Sequence, residues 1–244
     1  MYSQNMKKAV ELIKNSAYIT ALTGAGISTL SGLADFRGEH NPIWDKYPQE
    51  KIFDGAYFET DPKLFYDFLR DIMKQEYEPN IAHITLKRLE DLGTLKAVIT
   101  QNIDGLHQKA GAKKVYELHG SIYSNYCMKC EKEYFFSEFM DKLLKEPVPT
   151  CTCGGVIRPG IVFFGEPMPE EDMQMAVYNA SKSDLMLIVG TSLLVQPAAY
   201  MPMHALNNGA KLILVNRGET YIDDRVDFAF PDIKKFFEEL AESL

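Results

Sequence analysis

Five short apolar runs, each ending in small or hydrogen-bonding residues, constrain this chain more than any other feature. Tyr18–Thr23 leads into Gly24-Ala25-Gly26, and Ala97–Thr100 into Gln101-Asn102-Ile103-Asp104. Val115–Leu118 leads into His119-Gly120, Leu185–Val189 into Gly190-Thr191-Ser192, and Lys211–Val215 into Asn216. Helix-like stretches separate most of them: Pro79–Gly93, with Ile81, Leu86 and Leu89 among its apolar positions, and Glu170–Ser181. Strands alternating with helices predict a parallel sheet covered on both faces. In such a sheet a ligand binds at the carboxyl ends of the strands. The expected fold is α/β, a Rossmann-like doubly wound parallel sheet.

Two stretches break the alternation. Glu39 to about Asn80 is rich in aromatic residues and reads as an insert of loop and short helices. Asn125–Val156 carries all four cysteines. The expected organisation is therefore a nucleotide-binding domain from residues 1–38, 80–124 and 157–244, a helical and loop insert at 39–79, and a cysteine module at 125–156.

Cys127 and Cys130 form C-x-x-C; about twenty residues on, Cys151 and Cys153 form C-x-C, followed by Gly154-Gly155. Two paired clusters at this gap predict a tetrahedral zinc site. Thiolates are soft ligands that suit zinc, and the glycines let the backbone turn around it. A redox dithiol needs only one C-x-x-C and leaves the second pair unexplained. Four thiolates close the coordination shell, so the metal is expected to be structural.

The formal net charge of −8 comes without a basic stripe, which argues against a nucleic-acid partner. The apolar runs are a few residues long, against the roughly 20 needed to cross a bilayer. The first twenty residues read as an amphipathic helix with Met6, Val10 and Ile13 on one face, not as a signal peptide. A cytoplasmic location is expected, where disulfides are rare.

Gly24 and Gly26 are spaced as the first two glycines of G-x-G-x-x-G, but Thr29 stands where the third belongs. A tight turn and a dinucleotide loop both remain open on this evidence alone.

Taken in order, the motifs resemble the sirtuin family of NAD-dependent protein deacylases. The matching stretches are Gly24-Ala25-Gly26-Ile27-Ser28, Asp35-Phe36-Arg37-Gly38 and Thr100-Gln101-Asn102-Ile103-Asp104-Gly105-Leu106-His107. Leu118-His119-Gly120, the four cysteines, Phe164-Gly165-Glu166, Gly190-Thr191-Ser192-Leu193 and Val215-Asn216 complete the set, which spans roughly residues 18 to 233. Two departures stand out. Ala34 replaces the proline of the usual G-I-P-D-F-R, and the second cysteine pair is C-x-C where many members have C-x-x-C.

The resemblance implies this chemistry: NAD loses nicotinamide, the acyl oxygen of a modified lysine attacks C1′ of the ribose, and water completes the reaction. Free lysine, nicotinamide and an O-acyl-ADP-ribose result, with nicotinamide also expected as an inhibitor. Gly24, Ala25 and Gly26 would offer backbone N–H groups to the pyrophosphate, Ser28 and Thr29 hydroxyl donors, and Arg37 a phosphate-neutralising guanidinium. Gln101, Asn102, Ile103 and Asp104 would form the nicotinamide side, with Asp104 accepting the carboxamide N–H and Asn102 counted with the catalytic groups. Phe36 would cover the departure site. His119 would be the general base acting on a ribose hydroxyl, and Gly120 would leave room for that ribose. His107 is read as structural, bonded to a backbone carbonyl. Gly190, Thr191 and Ser192 would contact the nicotinamide ribose or the phosphates, Asn216 the adenine ribose and Ile233 the adenine side.

An acyl-lysine peptide would lie extended between Val162-Phe163-Phe164-Gly165-Glu166 and the stretch from Gly190 to Val195, adding as a strand. Val162 would face the acyl-lysine amide, while Phe164 and Ile103 would wall the acyl tunnel. A subgroup that removes acidic acyl groups carries Tyr-x-x-Arg in the insert. A gapless reading puts Leu69 and Ile72 there, with Arg70 close by, so acetyl or longer apolar acyl groups are expected over succinyl. Rival readings are mono-ADP-ribosyl transfer at the same site, a non-catalytic sensor, and a dehydrogenase. A dehydrogenase would want a glycine at 29 and an acid closing the second strand.

Overall fold

The computed structural model describes residues 2–35 and 42–244. Helix α1 (Tyr2–Asn15) and strand β1 (Ile19–Thr23) open the chain, and a 3-10 turn over Ala25–Ser31 follows. The insert holds α2 (Pro42–Lys46), α3 (Gln49–Ile52), α4 (Gly55–Thr60) and α5 (Pro62–Ile72). Next come α6 (Ile81–Asp91), β2 (Leu95–Thr100), α7 (Leu106–Lys109) and β3 (Val115–Glu117). The cysteine region contributes β4 (Gly120–Cys127), β5 (Glu133–Tyr134), α8 (Phe136–Lys145) and β6 (Ile157–Ile161). Then follow α9 (Glu170–Lys182), β7 (Leu185–Val189), α10 (Met201–Leu206), β8 (Lys211–Val215), β9 (Phe228–Phe230) and α11 (Ile233–Ser243).

The large sheet has the order β3-β2-β1-β7-β8-β9, and each neighbouring pair is parallel. Successive side chains of β7 enter opposite layers. Leu185, Leu187 and Val189 pack with α1, α6 and α11; Met186 and Ile188 pack with α9 and α10. Burial on both faces is why these strands read as unbroken apolar runs. The amphipathic helix expected at the N-terminus is α1, with Met6, Val10 and Ile13 buried. At the start of α6, the Asn80 side chain accepts from Ala82 N, and His83 Nδ1 accepts from Asn80 N, a reciprocal cap.

β5, β4 and β6 form a second, antiparallel sheet that strand periodicity did not reveal. Its core is continuous with that of the insert: Phe58, Phe65, Tyr66 and Leu69 pack with Ile122, Phe139, Ile157 and Phe163. Tyr66 Oη donates to Ile157 O at 2.7 Å. Arg70 donates to the carbonyls of Leu143, Glu146 and Pro147, closing the carboxyl end of α8. The two segments outside the large sheet are thus fastened to each other by packing and by hydrogen bonds. Among the described residues, no helix is long and apolar enough to cross a membrane.

Candidate active site

From β1 the chain moves outward to β2 and β3, then returns to β7 on the other flank of β1. The loops leaving β1 and β7 therefore diverge at a topological switch point, where open α/β sheets bind ligands. Here the two loops interlock through glycine. A Cβ on Gly26 would lie 2.7 Å from Gly190 Cα, and one on Gly190 would lie 2.3 Å from Ile27 N. Gly190 also sits at φ +61°, a conformation that disfavours side chains. Gly24 N donates to Val189 O and Gly26 N to Gly190 O. These two N–H groups are thus spent inside the crevice wall, contrary to the expected cradle of three N–H groups. Of the three residues, Ala25 at the start of the 3-10 turn is the one whose N–H has no backbone partner among the described residues.

Ser28 also departs from expectation. Its hydroxyl does not reach outward; the residue is 1% exposed. Ser28 Oγ donates to Asp104 Oδ2 at 2.7 Å and accepts from Asn102 Nδ2 at 3.1 Å. Asp104 Oδ1 takes the Leu106 N–H at 2.9 Å, and Asn102 N donates to Thr100 Oγ1. Three side chains from two strand ends are thereby locked together. Burial pushes the Asp104 carboxyl above its ordinary range, opposed by the bonds from Leu106, Ser28 and Asn102. Thr29 is exposed and donates to Gly26 O. Gln101 Nε2 donates to Thr191 Oγ1, joining the loops after β2 and β7.

His119 follows β3. Its Nδ1 lies 2.9 Å from Gln101 O, and a carbonyl only accepts. Nδ1 therefore carries the proton and Nε2 is left as a lone-pair nitrogen. Burial lowers the His119 pKa, opposed by the bond to Gln101, so the ring is neutral at neutral pH. Gly120 at φ +69° is required for a reason other than the one expected: a Cβ there would lie 2.0 Å from Gly160 O. The position beside the Gly120 Cα is thus filled by strand β6.

Beneath this layer lies a polar network that sequence reading missed. His107 bonds a hydroxyl, not a backbone carbonyl: its Nε2 is 3.0 Å from Thr23 Oγ1, which donates to Thr100 Oγ1 at 2.8 Å. The His107 ring stands edge-on to His83 at 4.8 Å. Asn80 Nδ2 donates to Ile27 O and Ser31 Oγ, steadying the loop after β1. The sequence signal was present in the paired threonines ending β1 and β2 and in the Asn-x-x-His cap.

The expected peptide edge leaves β6 directly. Val162 N donates to His119 O at 2.9 Å, and Phe164 N to Phe53 O at 2.7 Å. Phe164 is half exposed, whereas Phe163 is 1% exposed and packs on Phe58 and Phe65. The Phe163 ring is therefore core. Val195 is half-buried, and its carbonyl accepts from Ala199 N. Leu193 holds φ +54° while buried, an uncommon conformation for a branched residue.

Asn216 N donates to Phe230 O, and its side chain donates to Gly218 O. Ile233 begins α11 just beyond β9, so both lie at the carboxyl edge of the sheet. Phe36 and Arg37 lie outside the described residues. In the insert, Leu69 is core and Arg70 is bonded to the carboxyl end of α8 and to Asp67.

All four cysteine Sγ atoms lie within 4.8 Å of one another. Cys127 and Cys153 Sγ are 3.5 Å apart, and Cys130 and Cys151 Sγ are 3.7 Å apart. A tetrahedral zinc with Zn–S near 2.3 Å has S···S edges of about 3.8 Å, whereas a disulfide needs about 2.05 Å. The set fits one structural zinc ion. Gly155 is required here, because a Cβ on it would meet Cys127 Sγ at 2.7 Å.

A doubly wound parallel sheet, a polar crevice at its switch point and a four-thiolate side module define a Rossmann-like nucleotide-binding protein with a structural metal site. The Sir2 family model matches residues 24–197. The chain belongs to the Sir2 family. It is 46% identical over 222 residues to an NAD-dependent protein deacetylase of Thermotoga maritima, covering 90% of this chain and 89% of that one. Among solved structures, a Sir2–p53 peptide–NAD+ complex matches at 43% identity with a TM-score of 0.90, over 97% of both chains. A Sir2 complex with deacetylated p53 peptide and 3′-O-acetyl-ADP-ribose matches at 42% identity with a TM-score of 0.91, again over 97% of both.

Proposed function

We propose that this chain is an NAD-dependent protein lysine deacylase that turns acyl-lysine peptides into free lysine, nicotinamide and O-acyl-ADP-ribose. The observation that carries this reading is convergence. The Asn102–Ser28–Asp104 trio, the neutral His119 and the peptide-like edge at Val162 meet at one end of the sheet. The names of the relatives and of the structural neighbours point the same way.

The donor set fits NAD. A carboxamide needs an acceptor for its N–H, and Asp104 retains lone pairs beyond the bonds it accepts. NAD, when bound, supplies an electrophilic ribose carbon once nicotinamide leaves. Asp104 and the Ile103 backbone would hold the carboxamide, with Asn102 fixed beside them. Gly24, Ala25, Gly26, Gln101, Gly190, Thr191 and Ser192 would line the pyrophosphate and ribose. Asn216 and Ile233 would reach the adenosine end. Phe36 and Arg37 would cover the site and meet phosphate oxygens, as the family motif suggests.

His119 Nε2 would take the proton of a ribose hydroxyl, its lone pair free because Nδ1–H is bonded to Gln101 O. Val162 is fixed by its own N–H, and its carbonyl would accept the acyl-lysine amide N–H. One hydrogen bond thus joins the peptide edge to the base. Phe164 and Ile103 would wall an apolar acyl tunnel. We propose acetyl and longer apolar acyl groups as substrates, supported by Leu69 in the core and Arg70 engaged elsewhere. A cytoplasmic setting is proposed from four thiols gathered as a metal set and not as disulfides.

The test is nicotinamide release with NAD and a panel of acetyl-, butyryl- and succinyl-lysine peptides. Release should require acyl peptide, favour the apolar acyl groups over succinyl, and fall at least a hundredfold in His119→Ala. Mass spectrometry should show loss of the acyl group. Gain of ADP-ribose on the peptide, or faster succinyl turnover, would overturn the corresponding part of the reading.

A further inference from the structure

Arg158 on β6 takes no part in the chemistry above. Among the lysines and arginines of the described residues it is the one that is buried, at 5% exposure. Its guanidinium meets Glu166 through both ends of the fork, Nη1 to Oε1 at 2.7 Å and Nη2 to Oε2 at 3.0 Å. Nη2 also donates to Ile161 O at 2.7 Å, and Nε to Pro159 O at 3.3 Å. The cation lies 4.5 Å from the Phe163 ring centre, 5.4 Å from that of Phe58 and 5.9 Å from that of Tyr126. Such a site accepts only a planar, forked cation.

Glu166 closes the other side. Its Oε2 accepts from Phe163 N at 2.9 Å, and its own N–H donates to Phe163 O at 3.0 Å. Phe163-Phe164-Gly165-Glu166 is thus a turn with Gly165 at φ +91° in third position, the arrangement a type II turn requires. Arg158 grips Ile161 at the entry to this segment and Glu166 at its exit. Between them stand Val162, bonded to His119 O, and Phe164, bonded to Phe53 O of the insert. A buried ion pair is weak evidence for stability, because desolvation offsets attraction. What this one supplies is a single conformation for the six residues from Ile161 to Glu166.

We propose that Arg158 and Glu166 are positioning residues that preset the 161–166 edge for acyl peptide, so that they govern peptide affinity more than the chemical step. The proposal rests on the deacylase reading. Peptide affinity scales with the fraction of molecules whose edge is already in the binding conformation. Lowering that fraction to about a tenth weakens binding about tenfold. NAD contacts at the switch point lie on other loops and are spared.

The experiment compares wild type with Glu166→Ala, Glu166→Gln and Arg158→Lys. An acetyl-lysine peptide is titrated by calorimetry without NAD; steady-state constants and thermal melts are recorded in parallel. Glu166→Ala and Arg158→Lys should weaken peptide Kd and raise peptide KM about tenfold, with the KM for NAD within about twofold. Glu166→Gln keeps an acceptor for Phe163 N and should lose only about threefold. A purely structural role would lower the active fraction and kcat while leaving peptide Kd unchanged, and that result overturns the proposal. Unchanged peptide Kd in folded variants does the same. If Glu166→Ala does not fold, Glu166→Gln and Arg158→Lys decide by the same criteria. A wild-type protein that binds no acyl peptide overturns the deacylase reading instead, and the clamp with it.

Discussion

Replacing Ser28 by alanine removes one oxygen and breaks two bonds at the centre of the crevice. Asp104 Oδ2 loses its hydroxyl donor at 2.7 Å and Asn102 Nδ2 loses its acceptor at 3.1 Å, with no solvent beside a residue 1% exposed. A hydrogen bond to a charged group is worth about 1.5–3 kcal/mol. That bond holds the Asp104 pKa down against burial, which already raises it. Its loss should raise the carboxyl pKa further. The protonated form cannot accept the carboxamide N–H on that oxygen. Ser28→Ala should therefore lower kcat/KM for NAD about 10- to 150-fold at pH 7. The acid limb of its pH profile should also move to higher pH. The assay is initial nicotinamide release from pH 5 to 9 at saturating acetyl peptide. A uniform loss with superimposable pH profiles would show a packing defect only, and an unchanged kcat/KM would refute the role of the trio.

Gly190→Ala places a Cβ 2.3 Å from Ile27 N, so it should weaken NAD binding more than tenfold and lower the melting temperature. Gly209→Ala, at φ +84° with nothing within 4 Å, is the control for backbone strain alone, about 1 kcal/mol; equal effects would refute the interlock. Elemental analysis should find one zinc per chain, and a strong chelator or Cys151→Ala should lower the melting temperature of the β4–β6 region; an unmoved melt would deny the metal a structural role. Burial holds His83 down to about 4 and His107 down to about 3, the latter also repelled by His83. The unfolded chain then binds more protons below about pH 6.5, so stability should fall as pH drops from there toward 4, by about 3 kcal/mol for His83 alone. Melts that are flat between pH 7.5 and 4.5, or as steep in His83→Gln as in wild type, would contradict this.

The parallel sheet was readable because its strands are buried on both faces and each run ends abruptly at the carboxyl edge. Tyr18–Thr23, Leu185–Val189 and Lys211–Val215 match β1, β7 and β8 to within a residue. The cysteine quartet was readable because metal geometry constrains spacing. Three-residue β9 and the antiparallel β4–β6 sheet were not, since a short or bulged strand carries no period that sequence can display.

What sequence could determine by itself was the inventory: which residues stand at strand ends, and that acid, amide, imidazole and thiols are present at motif spacing. What only the tertiary structure decided was where each polar group spends its hydrogen bonds. Gly24 and Gly26 give their N–H groups to the neighbouring loop, Ser28 turns inward to Asp104, and Gly120 makes way for Gly160. Phe163 is core although Phe164, its neighbour, is exposed. Arg158 and Glu166, eight residues apart, close on each other because β6 ends in a turn that brings them together. Each of these outcomes depends on contacts between segments far apart in the chain or on a local reversal of direction. Sequence spacing does not encode them, and the packed crevice permits only one.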